Sequence, residues 1–280
     1  MTSIDARGPR VPSARDLVRM ASRRWHSLRI WLELIRNLAV RDVETRYKHS
    51  LLGLYWAIIN PLITAVIFSF VFTVIFHASS KPIPYVVFLL TGLTFWNLFA
   101  NSVVSATGSI TGNAALLSKL YFPRVVIPTA SAIARVIDFL FALFVLAVFI
   151  VAYHVRIYPS LFWILPILAL QTLLALGVGY LLSALNVLYR DMTQLIGLIL
   201  MIWMYLSPVM YPIGNVSNTI QSILLMNPMG ALIQAERDLL FTGYLTQAPY
   251  LWAAAAWCGF IFLAGLYTFK RLEPTFAEVL

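Results

Sequence analysis

Six apolar runs dominate the chain after residue 50. They cover residues 54–76, 85–107, 125–153, 161–188, 192–210 and 250–269, with short polar breaks between them. A bilayer core takes about 20 residues of apolar helix to cross, so the pattern predicts an all-α integral membrane protein with six transmembrane helices. Residues 207–249 hold two shorter apolar stretches, 216–226 and 229–241, divided by Asn227 and Pro228. Neither is long enough to span, and irregular backbone at that depth survives only against protein or a water-filled cavity. The pair is expected to form a re-entrant helical hairpin between spans five and six.

Ahead of the first run the spacing changes. On a wheel at about 100° per residue, Leu28, Leu32, Leu34, Ile35, Leu38, Ala39 and Val43 gather around Trp31, while Arg29, Glu33, Arg36, Asn37, Arg41, Glu44 and Lys48 fall opposite. Val40, Asp42 and Arg46 break the pattern. A basic amphipathic helix with Trp and Leu on its apolar face suits the membrane interface; packing against a partner or a solvated approach helix are the alternatives. The charge then stops abruptly: Arg41, Arg46, Tyr47 and Lys48 give way to an uncharged run that contains Gly53. Residues 50–53 are expected to turn a corner, because Gly weakens a helix there. The predicted organisation is a basic tail (1–27), an interfacial amphipathic helix (28–50), a transmembrane domain (51–270) and a short tail (271–280).

Composition sharpens the class. With 61% hydrophobic residues, 11% charged residues and a mean hydropathy of +0.84, the chain lies outside the soluble balance of about half apolar and a quarter charged. The net charge of +9 does not point to nucleic acid, since 11 of the 20 Lys and Arg fall in residues 1–50. With the amino terminus inside, the inner segments carry 16 basic residues and the outer ones only Lys81, Arg156 and Arg237. That asymmetry follows the positive-inside rule and places both termini in the cytoplasm. The tail lacks the apolar core of a cleaved signal peptide, and the lone Cys258 allows no disulfide within one chain.

Candidate chemistry is sparse. His26, His49, His77 and His154 lie in four separate segments, and HExxH, GxSxG and GxxxxGK[ST] are all absent, so neither a hydrolytic site nor a Walker A loop is expected. Arg135 and Asp138 sit three residues apart on one face of the third span, where they can pair. An intramembrane ion pair either secures helix packing or faces a pathway. Asn60, Asn97 and Asn101 supply amides inside the apolar runs, with Trp56, Phe95, Trp96, Trp203 and Tyr205 near them. Such rings suit the apolar faces of a sugar chain, or belong to the aromatic belt of the membrane interface.

The blocks RYKHSLLGLYW with NP (46–61), SKLYFPRVVIP (118–128), ARVIDF (134–139), NVLYRD (186–191), SPVMYP (207–212) and MNPMGALIQAERDLL (226–240) occur in this order. Together they resemble the permease subunit of type-2 ABC exporters of surface polysaccharides, the O-antigen and teichoic acid exporters, from about residue 30 to the end. The resemblance implies a homodimer in the cytoplasmic (inner) membrane, associated with two copies of a separate ATPase that binds ATP and Mg. It implies no cofactor on this chain, a lipid-linked polysaccharide as substrate, and contact with membrane lipids but not nucleic acid.

The resemblance further implies that loop 108–124 docks on the ATPase through Asn113, Leu116, Lys119, Leu120, Tyr121, Phe122, Pro123 and Arg124. Residues 113–121 are expected to form about two helical turns, ended ahead of Pro123. By the same likeness Trp56, Asn60, Phe95, Trp96, Asn97, Asn101, Trp203 and Tyr205 line the path. Ser207, Pro208, Tyr211, Asn227 and Pro228 belong to an outer gate. Rival classes are a type-2 permease for a lipid or small amphiphile, and a membrane-embedded glycosyl- or acyltransferase. The latter needs an acidic or His constellation at one membrane face, whereas Asp191 and the pair Glu236 and Asp238 are expected on opposite sides.

Overall fold

The computed structural model describes residues 14–48, 55–75, 83–117 and 122–276, with side chains from residue 29 onward except Ser69 and Asn215. Eleven α-helices appear among the described residues: α1 (Ala14–Tyr47), α2 (Trp56–Phe70), α3 (Tyr85–Gly112), α4 (Ala114–Leu117), α5 (Val126–Ile133), α6 (Arg135–Ala152), α7 (Ile164–Leu188), α8 (Met192–Tyr205), α9 (Asn218–Met226), α10 (Pro228–Phe241) and α11 (Ala248–Leu272). A π turn extends α2 through Val71–Ile75, and a 3-10 turn at Pro159–Trp163 leads into α7. The described residues contain no strand.

Five stretches are long and apolar enough to cross a bilayer: Trp56–Ile75, Tyr85–Gly112, Val126–Ala152, Pro159–Leu188 and Ala248–Thr275. The third is α5 and α6 joined through Ala134. The apolar run at 192–210 is different. Its helix, α8, stops after 14 residues, about 21 Å at the usual rise, short of a hydrocarbon core of about 30 Å. Residues 206–212 then leave helical geometry at Ser207-Pro208 and Pro212. Two helices follow where the hairpin was expected, α9 and α10, divided at Asn227.

α3 is the centre of the fold. It is buried along most of its length, whereas Ala65 is the only buried side chain described in α2. The α7–α11 pair is the tightest. A β-carbon on Gly265 would collide with the carbonyl of Gly177, and one on Gly177 would lie 2.6 Å from the backbone of Phe262, so two glycines allow the backbones to approach. The two ends of the bundle differ. At one, α1 lies along α5, reaches α6 through Arg46 and Tyr47, and shares an apolar cluster with Phe269 of α11. At the other, α10 and residues 206–212 sit against the start of α3, where Tyr85 Oη donates to the Met210 carbonyl at 2.6 Å, and α9 packs on α10 and α11.

α1 begins at Ala14, well inside the stretch expected to be a tail. Leu38 and Ala39 are buried against α5, with Leu34, Ile35 and Val43 packed beside them. Ile30, Trp31 and Leu32 stay exposed, so the apolar face divides between protein and surroundings. The corner at 50–53, Gly53 included, lies outside the described residues.

Candidate functional site

Two of the three residues that break the amphipathic wheel of α1, Asp42 and Arg46, make polar contacts with the bundle. Asp42 accepts a hydrogen bond from Ser131 Oγ at 2.7 Å, and Arg46, one turn on, pairs with Asp138 Oδ2 at 2.6 Å. Tyr47 donates to the other carboxylate oxygen of Asp138. Arg135 also reaches Asp138, at 3.3 Å, so the pair expected from the sequence exists and is part of a four-residue cluster. Two guanidinium groups share one carboxylate, which leaves a surplus positive charge. Nε of Arg135 is buried with no hydrogen-bond partner among the described residues. Burial pushes the Tyr47 hydroxyl above its usual range, and the hydrogen bond and charge of Asp138 add to that rise, so Tyr47 is a neutral donor near pH 7.

This cluster forms one wall of a cavity of about 410 Å³ between α1, α2, α3 and α6. α2 contributes Trp56, Asn60 and Thr64, spaced four residues apart and therefore on one helix face, and α3 contributes Thr94, Asn97 and Asn101. Asn60, Asn97 and Asn101 are exposed, and their side-chain amides have no partner among the described residues. Each presents both donors and an acceptor to the cavity. The walls suit an anionic group with hydroxyls around it.

The remaining aromatics expected with this group lie elsewhere. Phe95 and Trp96 are buried in the core, where Phe95 packs on Phe139 at 5.6 Å and Trp96 on Phe99 at 5.6 Å. Their helix turns them away from Asn97 because neighbours in sequence lie about 100° apart. Phe95 borders a second, apolar cavity of about 790 Å³ between α6 and α7. Trp203 meets Phe99 edge-on at 5.1 Å and donates Nε1–H to Asn227 Oδ1 at 2.8 Å. Tyr205 is exposed, and its carbonyl accepts from Tyr211 Oη at 3.0 Å.

At the hairpin end, Asn227 is a hub. Its Oδ1 accepts from Met229 N–H at 3.1 Å, which caps α10 with Pro228 at the first helical position, a favoured start. Its Nδ2 donates to Ser207 Oγ at 2.8 Å and to the Leu206 carbonyl at 3.2 Å. Ser207, Asn227 and Pro228 therefore meet.

Arg237, counted in the sequence as an outer loop charge, is buried instead. It donates to the carbonyls of Pro208, Val209 (2.6 Å) and Phe88 (3.1 Å), and its guanidinium lies 3.6 Å from the centre of the Phe88 ring. Glu236 is completely buried, and burial drives its carboxyl well above the usual carboxylate range against the opposing charge of Arg237. Three charged residues inside an otherwise apolar run were the signal in the sequence, since charges are rarely buried unless partnered.

The loop expected to dock a partner starts later than residue 108, because α3 runs on to Gly112. Asn113 accepts from Arg41 Nη2 at 2.6 Å and donates to the Ser109 carbonyl at 2.8 Å. One helical turn, α4, follows, with Leu116 and Phe122 packed on the same apolar cluster as Leu38. Lys119, Leu120 and Tyr121 lie outside the described residues. Pro123 is exposed, Lys48 is exposed at the end of α1, and Arg124 binds Glu273.

Residues 33–241 match the family described as ABC-2 type transporter. The chain is 32% identical over 259 residues to the O-antigen export system permease protein RfbA of Klebsiella pneumoniae, covering 91% of this chain and 98% of that protein. It is 28% identical over 253 residues to the RfbA of Myxococcus xanthus, covering 88% and 94%. It is 23% identical over 242 residues to the polysialic acid transport protein KpsM of Escherichia coli, covering 85% and 93%.

Proposed function

The chain belongs to the ABC-2 type transporter family, and from that premise we propose that it is the membrane permease that exports a surface polysaccharide linked to a polyprenyl diphosphate. A separate ATPase, binding ATP and Mg, drives the cycle, and this chain catalyses no reaction of its own. The permease is a homodimer in the inner membrane with two ATPase copies and both termini in the cytoplasm. α8 with residues 206–212 completes the sixth crossing, α1 lies in the inner interface, and α9 and α10 form a re-entrant hairpin that serves as the outer gate.

The observation that carries this reading is the polar cavity. It lies where a basic interfacial helix meets the first spans. Its walls combine surplus positive charge from Arg46 and Arg135 with the free amides of Asn60, Asn97 and Asn101. A lipid diphosphate is an anion that guanidinium groups bind well, and a glycan behind it offers hydroxyls to the amides and apolar ring faces to Trp56. The broad apolar surfaces of α2 and α8 are suited to lipid and to a second copy.

Depletion of the protein in its host tests the reading. The expected outcome is lipid-linked glycan accumulating on the inner face and disappearing from the surface. An unchanged surface glycan with loss of another exported lipid or amphiphile would overturn it. Measurable ATP hydrolysis by this chain purified without its partner would overturn the division of labour.

A further inference from the structure

The turn that follows α11, Glu273–Thr275 with Phe276, folds back onto the loop between α4 and α5. Arg124 N–H donates to Glu273 Oε1 at 3.1 Å, and Arg124 Nη1 donates to the Glu273 carbonyl at 2.6 Å. The second bond satisfies a carbonyl at the carboxyl end of α11, where helices leave acceptors unpaired and where a cation is favoured by the helix dipole. The same guanidinium lies 5.8 Å from the centre of the Phe276 ring. Phe276 is fully buried, meets Phe269 edge-on at 5.4 Å, and shares one apolar cluster with Leu116, Phe122 and Leu38.

The other foot of this loop is held differently. Asn113 is bound to Arg41 by one side-chain hydrogen bond, and the Arg41 side chain is 43% exposed. Exposed polar contacts of this kind contribute little in water, whereas a fully buried ring resists displacement. Leu116 of α4 packs on the same apolar cluster as Phe276, so a push on α4 has, besides its continuity with α3 through Asn113, a second route into the end of α11.

α11 is equipped to carry such a push. It is 25 residues long, about 37 Å at the usual rise, and its contact with α7 at Gly177 and Gly265 leaves no room for slack. Close to its far end, Tyr250 Oη bonds Ser222 Oγ of α9 at 3.0 Å. One continuous helix thus joins Arg124 to the hairpin.

We infer that the carboxyl-terminal turn Glu273–Phe276 is part of the surface on which the ATPase partner acts, clamping the docking loop to α11 so that partner motion reaches the hairpin. Arg124, Glu273 and Phe276 are positioning residues in this device. The inference rests on the proposed docking of loop 113–124 on an ATPase.

The test uses the permease–ATPase complex in proteoliposomes, with the variants E273A, F276A and a chain ending at Leu272. Each is scored for complex assembly, for substrate-stimulated ATP hydrolysis and for export. Assembly is expected to persist while export falls at least about tenfold and hydrolysis no longer responds to substrate. E273A removes one acceptor and leaves the Phe276 anchor, so it stays informative if F276A fails to fold. Export within twofold of wild type in E273A and in the shortened chain overturns the inference. A separate arm places Cys at Ala114 of the otherwise intact chain and cross-links it to the ATPase. Absence of that cross-link overturns the docking reading itself and the inference with it, whereas a retained cross-link with normal export in the variants overturns only the clamp.

Discussion

The guanidinium of Arg237 occupies the space that a side chain on Gly92 would need. A β-carbon there would overlap Arg237 Nη2 and the Val209 carbonyl. Arg237 in turn holds the carbonyls of Pro208 and Val209, which lie outside helical pairing where the chain departs from α8, and adds a bond to the Phe88 carbonyl within the first turn of α3. Gly92 and Arg237 thus join α3, α10 and residues 206–212 into one block. Gly92→Ala is expected to destabilise the protein by about 1–3 kcal/mol through overpacking. Arg237→Met should do at least as much, because the carbonyls lose their donor in a dry site. Thermal unfolding in detergent measures both, and a midpoint unchanged in Gly92→Ala contradicts the block.

The Asp138 cluster makes a separable prediction. Asp138→Asn leaves two guanidinium groups without their shared counter-charge. The side chains of Asp138, Arg46 and Arg135 are about a quarter exposed, so the cost falls below that of a fully buried pair, at about 1–3 kcal/mol. Arg46→Ala combined with Asp138→Ala should cost less than the two changes summed, by about 1 kcal/mol. Strict additivity in the double-mutant cycle would show that α1 and α6 are not coupled through this pair.

Helix contact between α7 and α11 gives a comparison with an internal control. Gly265→Val forces a side chain against the Gly177 carbonyl, whereas a β-carbon on Gly197 of α8 meets nothing within 4 Å. Gly265→Val is expected to lower the unfolding midpoint sharply or abolish recovery of folded protein. Gly197→Ala should change stability by less than about 1 kcal/mol, since replacing a helical Gly by Ala is mildly favourable.

Glu236 predicts a pH dependence. Burial raises its carboxyl pKa well above the ordinary carboxylate range, so the folded state holds the proton over a pH range in which the unfolded chain has released it. The sign follows: destabilisation is absent below the unfolded value and grows as pH rises toward the folded one. Arg237 opposes the shift from the same helix, and Asp238 is occupied by Thr246 and Gln234. Glu236→Gln should therefore flatten the fall in melting temperature between mildly acidic and alkaline pH. An identical pH profile in wild type and variant would contradict a proton held at this position.

Much of the fold was legible because its signals are local. Five of the six long apolar runs form the spanning stretches, and Asn227-Pro228 marked the break between α9 and α10. Arg135 and Asp138 were legible as a pair for the same reason, being one turn apart. The wheel of α1 was legible too, but Asp42 and Arg46 read as flaws in it. Their partners, Ser131 and Asp138, lie about 90 residues away, and periodicity carries no information at that range.

What the sequence by itself determined is the class: an all-helical, apolar chain with a basic amphipathic helix ahead of its spans, because hydropathy and helical period are properties of short windows. Only the tertiary structure decided which polar residues face one another. It gathered Asn60, Asn97 and Asn101 around the Asp138 cluster, turned Phe95 and Trp96 into the core, buried Arg237 against Gly92, and brought the turn after α11 onto Arg124. Each outcome depends on how helices far apart in sequence pack, and close packing settles which face of a helix meets protein and which faces a cavity.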